Sequence, residues 1–435
     1  LGNGLVTWLK TGKGAFGLGR SRFQLETLWQ GGWLLVATVV TGIFNYLSNV
    51  LVGRMLGPAD YGIFTSLVSL FLILGVVTGV IQTVTNNYTA RLRARGAKAE
   101  AGALFVYLVA RLLPWGIGGT LLLALLSGPL STFLRIPSVV PAIVLSLTVI
   151  PAVVLPVAYG ALGGLQRFGA LGTTQIAGSV FRLVAVVALI ALGLGVAGAI
   201  ASLSVSYLGA LALGTFLLRD ILRHRDKETA VQTSGLFGYS LNTVLAVLAF
   251  AVLTNSDLIF VKNRFSPGEA GLYAAIATLG KVTLWLPAAV GVLLLPKATE
   301  QHTRGQSAVA LVWKSLLVTA LLCGGFVIVF FLFPTPLVRV LFGELYVVHA
   351  SLLGLYGLAM MFFSLVNVWL FYYLAVQEKR YGYVLLAGAV LQVILLMTLP
   401  LTMTAVIELM VAVGLGLSLA GLWGIVHWNS IGSKP

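Results

Sequence analysis

Apolar blocks of about twenty residues, each ended by glycine, proline or a cluster of charge, recur along nearly the whole chain, and that spacing leaves few folds open. A bilayer's hydrocarbon core is ~30 Å thick and takes about 20 helical residues to cross. Blocks near 29–52, 61–88, 101–127, 138–162, 171–194 and 197–218 form one set of six, and blocks near 234–261, 271–299, 306–333, 349–376, 382–400 and 403–428 a second. With 59% hydrophobic and 9% charged residues, the chain has too few polar groups to coat a soluble globule of 435 residues. Transmembrane strands would alternate with period two over about ten residues, whereas these blocks are apolar on every face. The sequence predicts an all-α polytopic membrane protein of about twelve spans.

Basic residues orient it. One set of loops and ends holds Lys10, Lys13, Arg20, Arg22, Arg91, Arg93, Arg95, Lys98, Arg167, Arg219, Arg223, Arg225, Lys227, Lys297, Arg304, Lys379, Arg380 and Lys434. The opposite set holds only Arg54, Arg135, Lys262, Arg264 and Arg339. The positive-inside rule then places both termini in the cytoplasm. The net charge of +15 sits mainly in short juxtamembrane loops, where anionic lipid attracts it, so it carries no nucleic-acid reading. Residues 1–24 lack the apolar core and small-residue cleavage site of a removable signal and read as a basic interfacial segment.

The chain reads as a duplication. Pro58-Ala59-Asp60-Tyr61-Gly62-Ile63-Phe64 and Pro267-Gly268-Glu269-Ala270-Gly271-Leu272-Tyr273 share one pattern, 209 residues apart. Pro129-Leu130 and Pro336-Leu337 repeat at 207, and Gln166-Arg167-Phe168 and Lys379-Arg380-Tyr381 at 213. Ser266, Pro267 and Glu269 fit a helix start with a capping box, and Gly57, Pro58 and Asp60 repeat the device. The division expected is a basic segment 1–24, a six-helix lobe 25–218, a linker 219–233, a second six-helix lobe 234–428 and a tail 429–435. An even number of spans per repeat makes the lobes parallel, related by an axis along the membrane normal, with a cleft between them that rocking exposes to alternate sides.

Four basic residues belong to no loop. Arg111, Arg182 and Lys281 fall about ten residues inside their spans, near the midplane, and Lys314 lies shallower. A cation there costs from ~2.5 kcal/mol upward, so it should face a wet cavity or a protein interior. The two acids in or near spans, Asp257 and Glu408, leave a basic surplus that suits an anionic ligand. Arg111 can instead snorkel or bond the carbonyl freed by Pro114, and Lys314 can anchor at the interface beside Trp313. Asp257 can pair with Lys262 or Lys281 or be solvated near a span end; it and Glu408 are the candidates for binding a coupling Na⁺ or H⁺. Asn45 and Asn242, in the first helix of each lobe, head the polar candidates Asn45, Asn49, Gln82, Asn86, Asn87, Asn242, Asn255 and Asn367, among which asparagines also join helices.

Enzyme signatures fail on context. Gly193-Leu194-Gly195-Val196-Ala197-Gly198 matches a dinucleotide fingerprint but follows an apolar span, not a strand. The four histidines have no metal-ligand spacing, and Cys323, the single cysteine, excludes an internal disulfide. No catalytic constellation, metal site or cofactor is expected.

Leu56-Gly57-Pro58-Ala59-Asp60-Tyr61-Gly62, Leu165-Gln166-Arg167-Phe168, and Asp257-Leu258-Ile259-Phe260 leading into Ser266-Pro267-Gly268-Glu269-Ala270-Gly271 resemble the Wzx-type oligosaccharide flippases of the MOP exporter superfamily. The resemblance implies a V-shaped pair of six-helix bundles in a bacterial inner membrane. It implies translocation of a polyprenyl-diphosphate-linked oligosaccharide to the outer leaflet, with a polymerase or glycosyltransferases as partners. On that reading Arg182 and Lys281, supported by Arg111 and Lys314, hold the diphosphate. The related lipid II flippases carry two more helices, for which this chain has no apolar sequence left. The alternatives are a Na⁺- or H⁺-coupled exporter of the same superfamily, for which an acidic cavity would be expected, and a non-transporting subunit of a secretion complex.

Overall fold

The computed structural model describes residues 32–223, 241–285 and 309–428 apart from 35 and 401, with isolated positions between 286 and 308. The segment 1–24, the linker from 224 onward, the tail 429–435 and the eighth block beyond 285 lie outside the described residues.

The first half comprises α1 (Gly32–Leu56), α2 (Pro58–Leu74), α3 (Val76–Ala94), α4 (Lys98–Leu125), α5 (Ser127–Phe133), α6 (Val140–Leu147), α7 (Val149–Gly164), α8 (Phe168–Ala191), α9 (Gly195–Leu217) and α10 (Arg219–Arg223). The second comprises α11 (Leu241–Arg264), α12 (Pro267–Gly280), α13 (Val282–Trp285), α14 (Val309–Leu332), α15 (Pro334–Phe342), a 3₁₀ segment (Glu344–Leu352), α16 (Leu353–Ala375), α17 (Arg380–Thr398) and α18 (Met403–Trp428). Among the described residues ten helices are long and apolar enough to cross a bilayer, or eleven if α2 and α3, bent by 42° at Gly75, count as one span. The remaining expected span, the eighth, begins as α12 and α13 and leaves the continuously described residues at Trp285. No strand occurs among the described residues.

Helix starts follow the sequence in part. At α12, Ser266 and Glu269 form the expected capping box, each side chain bonding the other's backbone N–H. At α2, Pro58 starts the helix, but Gly57 has no side chain to cap it and Asp60 completes no box. Small residues set the packing. A Cβ on Gly164 would fall 2.5 Å from the Asn86 carbonyl oxygen, and one on Gly160 2.6 Å from that of Gln82, so α7 lies backbone-to-backbone on α3.

Two separate cores result. One, containing Leu104, Leu108, Val157, Leu162, Leu171 and Leu218, is confined to the end of the first half that carries the basic loops. The other starts at the opposite end of the first half, with Val52, Tyr61, Phe64, Leu67, Leu134 and Leu145, and continues into the second half through Ala270, Tyr273, Phe342, Tyr356 and Phe363. The halves thus share a core at the end remote from the basic loops, where α2 packs on α11 and α12.

Candidate functional site

Arg182 sits on the buried stripe of α8 with Gly178, Ser179, Ala185 and Val186, about 21 Å along the helix from Phe168. Gly178 admits Ala210 of α9 to 3.1 Å of where its own Cβ would be, which seats the stripe against α9. Asn45 and Asn49, one turn apart, project from one face of α1. Arg182 donates from one terminal nitrogen to Asn45 Oδ1 at 3.0 Å and from the other to Asn49 Oδ1 at 2.8 Å. Its Nε is buried without a partner. Amide oxygens satisfy donors without neutralising charge, and Tyr61 and Tyr207 are the other polar side chains whose field reaches the guanidinium. Arg182 is therefore 7% exposed, hydrogen-bonded and still a full positive charge, with no carboxylate bonded to it among the described residues.

Lys281 ends α12, about 21 Å from Pro267. Its Nζ donates to Asn255 Oδ1 at 2.9 Å, and the Asn255 amide is itself oriented by donating to the Ala251 carbonyl at 2.9 Å. Two residues along α11, Asp257 is fully buried. Its Oδ2 accepts from Tyr273 Oη at 3.0 Å and Tyr356 Oη at 2.9 Å, and its Oδ1 has no hydrogen-bond partner. Lys281 and Asp257 lie within each other's field. Solvation of Asp257 near a span end is thus replaced by burial between α11, α12 and α16, because both tyrosines reach it from helices packed on α11. The second half encloses a cation and a carboxylate within each other's field, whereas among the described residues the buried cation of the first is met by amides only.

The other candidates stand apart. Arg111 is exposed on the face of α4 that carries Tyr107 and Trp115, turned away from the face formed by Leu104, Leu108 and Leu112 that packs in the core. Lys314 is exposed on α14 beside exposed Trp313, as an interfacial anchor would be. Glu408 is exposed on α18. Asn242 accepts from Tyr383 Oη at 3.1 Å, thirteen residues and about 20 Å along α11 from Asn255. The structure brings Arg182 together with Asn45, and sets Lys281, bonded to Asn255, within the field of Asp257. Asn49 and Asn255 are among the polar candidates of the sequence, but which cation each would hold was not legible there; the i, i+4 spacing of Asn45 and Asn49 was a signal for the first, and nothing local marked the second. No cluster of potential metal ligands occurs among the described residues.

A bundle of membrane-length helices in two joined halves has solved counterparts. An inward-facing multidrug resistance MATE family transporter of the MOP superfamily superposes with TM-score 0.73 at 17% identity, over 92% of this chain and 99% of that one. An inward closed conformation of the lipid II flippase MurJ gives 0.69 at 11% identity, over 90% and 87%. An outward-facing MATE transporter gives 0.55 at 17% identity, over 93% and 95%. The protein is a multi-pass membrane protein with the fold of the MOP superfamily. It belongs to the polysaccharide biosynthesis protein family, whose sequence profile matches residues 28–296. No curated protein sequence matches the chain.

Proposed function

We propose that this protein is a flippase that carries a polyprenyl-diphosphate-linked oligosaccharide from the cytoplasmic to the outer leaflet of a bacterial inner membrane by alternating access. The observation that carries the reading is Arg182: a buried guanidinium held by two neutral amides, with one donor unused. A diphosphate supplies the missing negative charge and the missing acceptor at once, and arginine suits phosphate oxygens. Family membership supports a glycan cargo. The sugars occupy the cleft between the halves, and the polyprenyl tail stays in lipid. Lys281 has a smaller part than Arg182, because Asp257 already answers its charge.

The test is a leaflet assay with the purified protein in liposomes and a fluorescent polyprenyl-diphosphate sugar. Arg182→Ala is expected to lower the flipping rate at least about tenfold, the loss of one charge-assisted contact of ~1.5–3 kcal/mol. An Asn45→Asp variant, which keeps the hydrogen bond but neutralises the guanidinium, is expected to do the same. Unchanged flipping in both variants refutes the role of Arg182, and no flipping by the unaltered protein favours a subunit that acts only within a larger complex. Export of a cationic drug without lipid flipping favours the ion-coupled exporter.

A further inference from the structure

The duplicated motifs do more than begin helices: at the end remote from the basic loops, copies from the two halves bond each other. Gly62 and Gly271, equivalent at an offset of 209, lie in contact where α2 crosses α12. A Cβ on Gly62 would fall 2.9 Å from the Gly271 nitrogen, and one on Gly271 would fall 1.6 Å from the Pro58 carbonyl oxygen. A contact between equivalent positions marks the pseudo-two-fold axis.

Around that axis two hydrogen bonds repeat. Arg54 at the end of α1 reaches across to α15, donating through Nε to the Leu341 carbonyl at 2.7 Å and through a terminal nitrogen to that of Val340. Asn263 at the end of α11 reaches the other way, donating to the carbonyl of Phe133 at the end of α5. Asn263 is Arg54 advanced by 209, and Val340 is Phe133 advanced by 207, the offset that relates Pro129 to Pro336. Each half thus closes on the short helix of the other through the same two positions. Three further contacts tighten one side: Tyr346 Oη donates to the Gly53 carbonyl at 2.6 Å, Tyr61 Oη and Thr278 Oγ1 lie 2.7 Å apart, and Tyr61, Phe342 and Tyr346 pack ring on ring. Lys262, buried beside Asn263, lies in the field of Asp60 from the other half.

We infer that these contacts form a two-fold latch that holds the bundle shut at the end the loop charges place outside, and that releasing both arms is the step that opens it there. The arms are polar bonds to backbone carbonyls at a water-facing end, where water replaces them at little cost, so they suit a closure that must break in each cycle. The part of the core that joins the halves lies directly beneath them, and at the opposite end the described core residues of each half cluster within that half. The inference is independent of what the protein carries.

Pulsed electron spin resonance on the full chain in lipid nanodiscs tests it. Spin labels at Ala59 and Leu345, exposed positions in the two halves, are placed in a Cys323→Ser background. The unaltered latch is expected to give one dominant short distance. Arg54→Ala and Asn263→Ala should each raise the population of a longer distance about fivefold, as the loss of one ordinary hydrogen bond does, and the double variant should raise it further. An unchanged distribution in the double variant overturns the latch, as does a response to Arg54→Ala with none to Asn263→Ala. Where the double variant yields no folded protein, Asn263→Ala alone carries the test, and its failure to shift the population overturns the inference.

Discussion

Two buried cations of similar depth have opposite surroundings, and the difference lies in single side chains. Arg182 is met by Asn45 and Asn49, and Lys281 by Asn255 with Asp257 close by. An interior charge that loses its partner costs more than a pair removed together, because the survivor has no water to turn to. Lys281→Met is therefore expected to destabilise the protein by ~3–5 kcal/mol, and Asp257→Asn added to it to restore more than half of that. Thermal unfolding of the two single variants and the double in detergent checks this; additive losses would deny the coupling. The sequence exposed both cations, since a lysine or arginine ten residues inside an apolar block stands out. It did not expose Asp257 as the partner of Tyr273 and Tyr356, because those contacts join residues brought together only when α11, α12 and α16 pack.

At the scale of elements, the long apolar helices were legible and the short ones were not. Hydropathy marks what must lie in lipid, and α5 and α15, seven and nine residues long, are too brief to register. The proline pairs at their starts were visible as a repeat, with no hint that the helices cross to the other half. Glycine packing is a second element-level property. Gly164→Val should force α7 from α3, at a cost of about 1–3 kcal/mol as in other overpacked contacts, while Gly169→Val, with open space around it, should cost far less; thermal unfolding of the two variants side by side compares them. A third device ties α8 to α10: Arg167 bonds the Leu217 carbonyl at 3.0 Å and pairs with Asp220. The Arg167 hydrogen bonds hold the Asp220 carboxyl down to about 2. A carboxylate whose folded pKa is depressed stabilises fully above its unfolded pKa, ~3.9, and loses that contribution as pH falls towards the folded value. The melting-temperature gap between the protein and Asp220→Asn should be constant from about pH 5 to 7 and shrink below about pH 4. It should also be small and salt-sensitive, because both side chains are substantially exposed.

For the whole molecule, the arrangement of cores says where the halves can part. A hydrophobic cluster that crosses between halves resists separation in proportion to the apolar area it buries, and the cluster that runs the length of the second half takes in the first half at one end. The duplication, read from offsets of 207 to 213, predicted two related halves. It did not predict that the repeat's own signature would be the seam. Equal surfaces meeting on a two-fold axis are the interface of a homodimer, here written into one chain. A substitution at Gly62 or Gly271 is felt by both halves at once, so the two copies of the motif are bound to a common history: neither can drift far unless the other drifts to match.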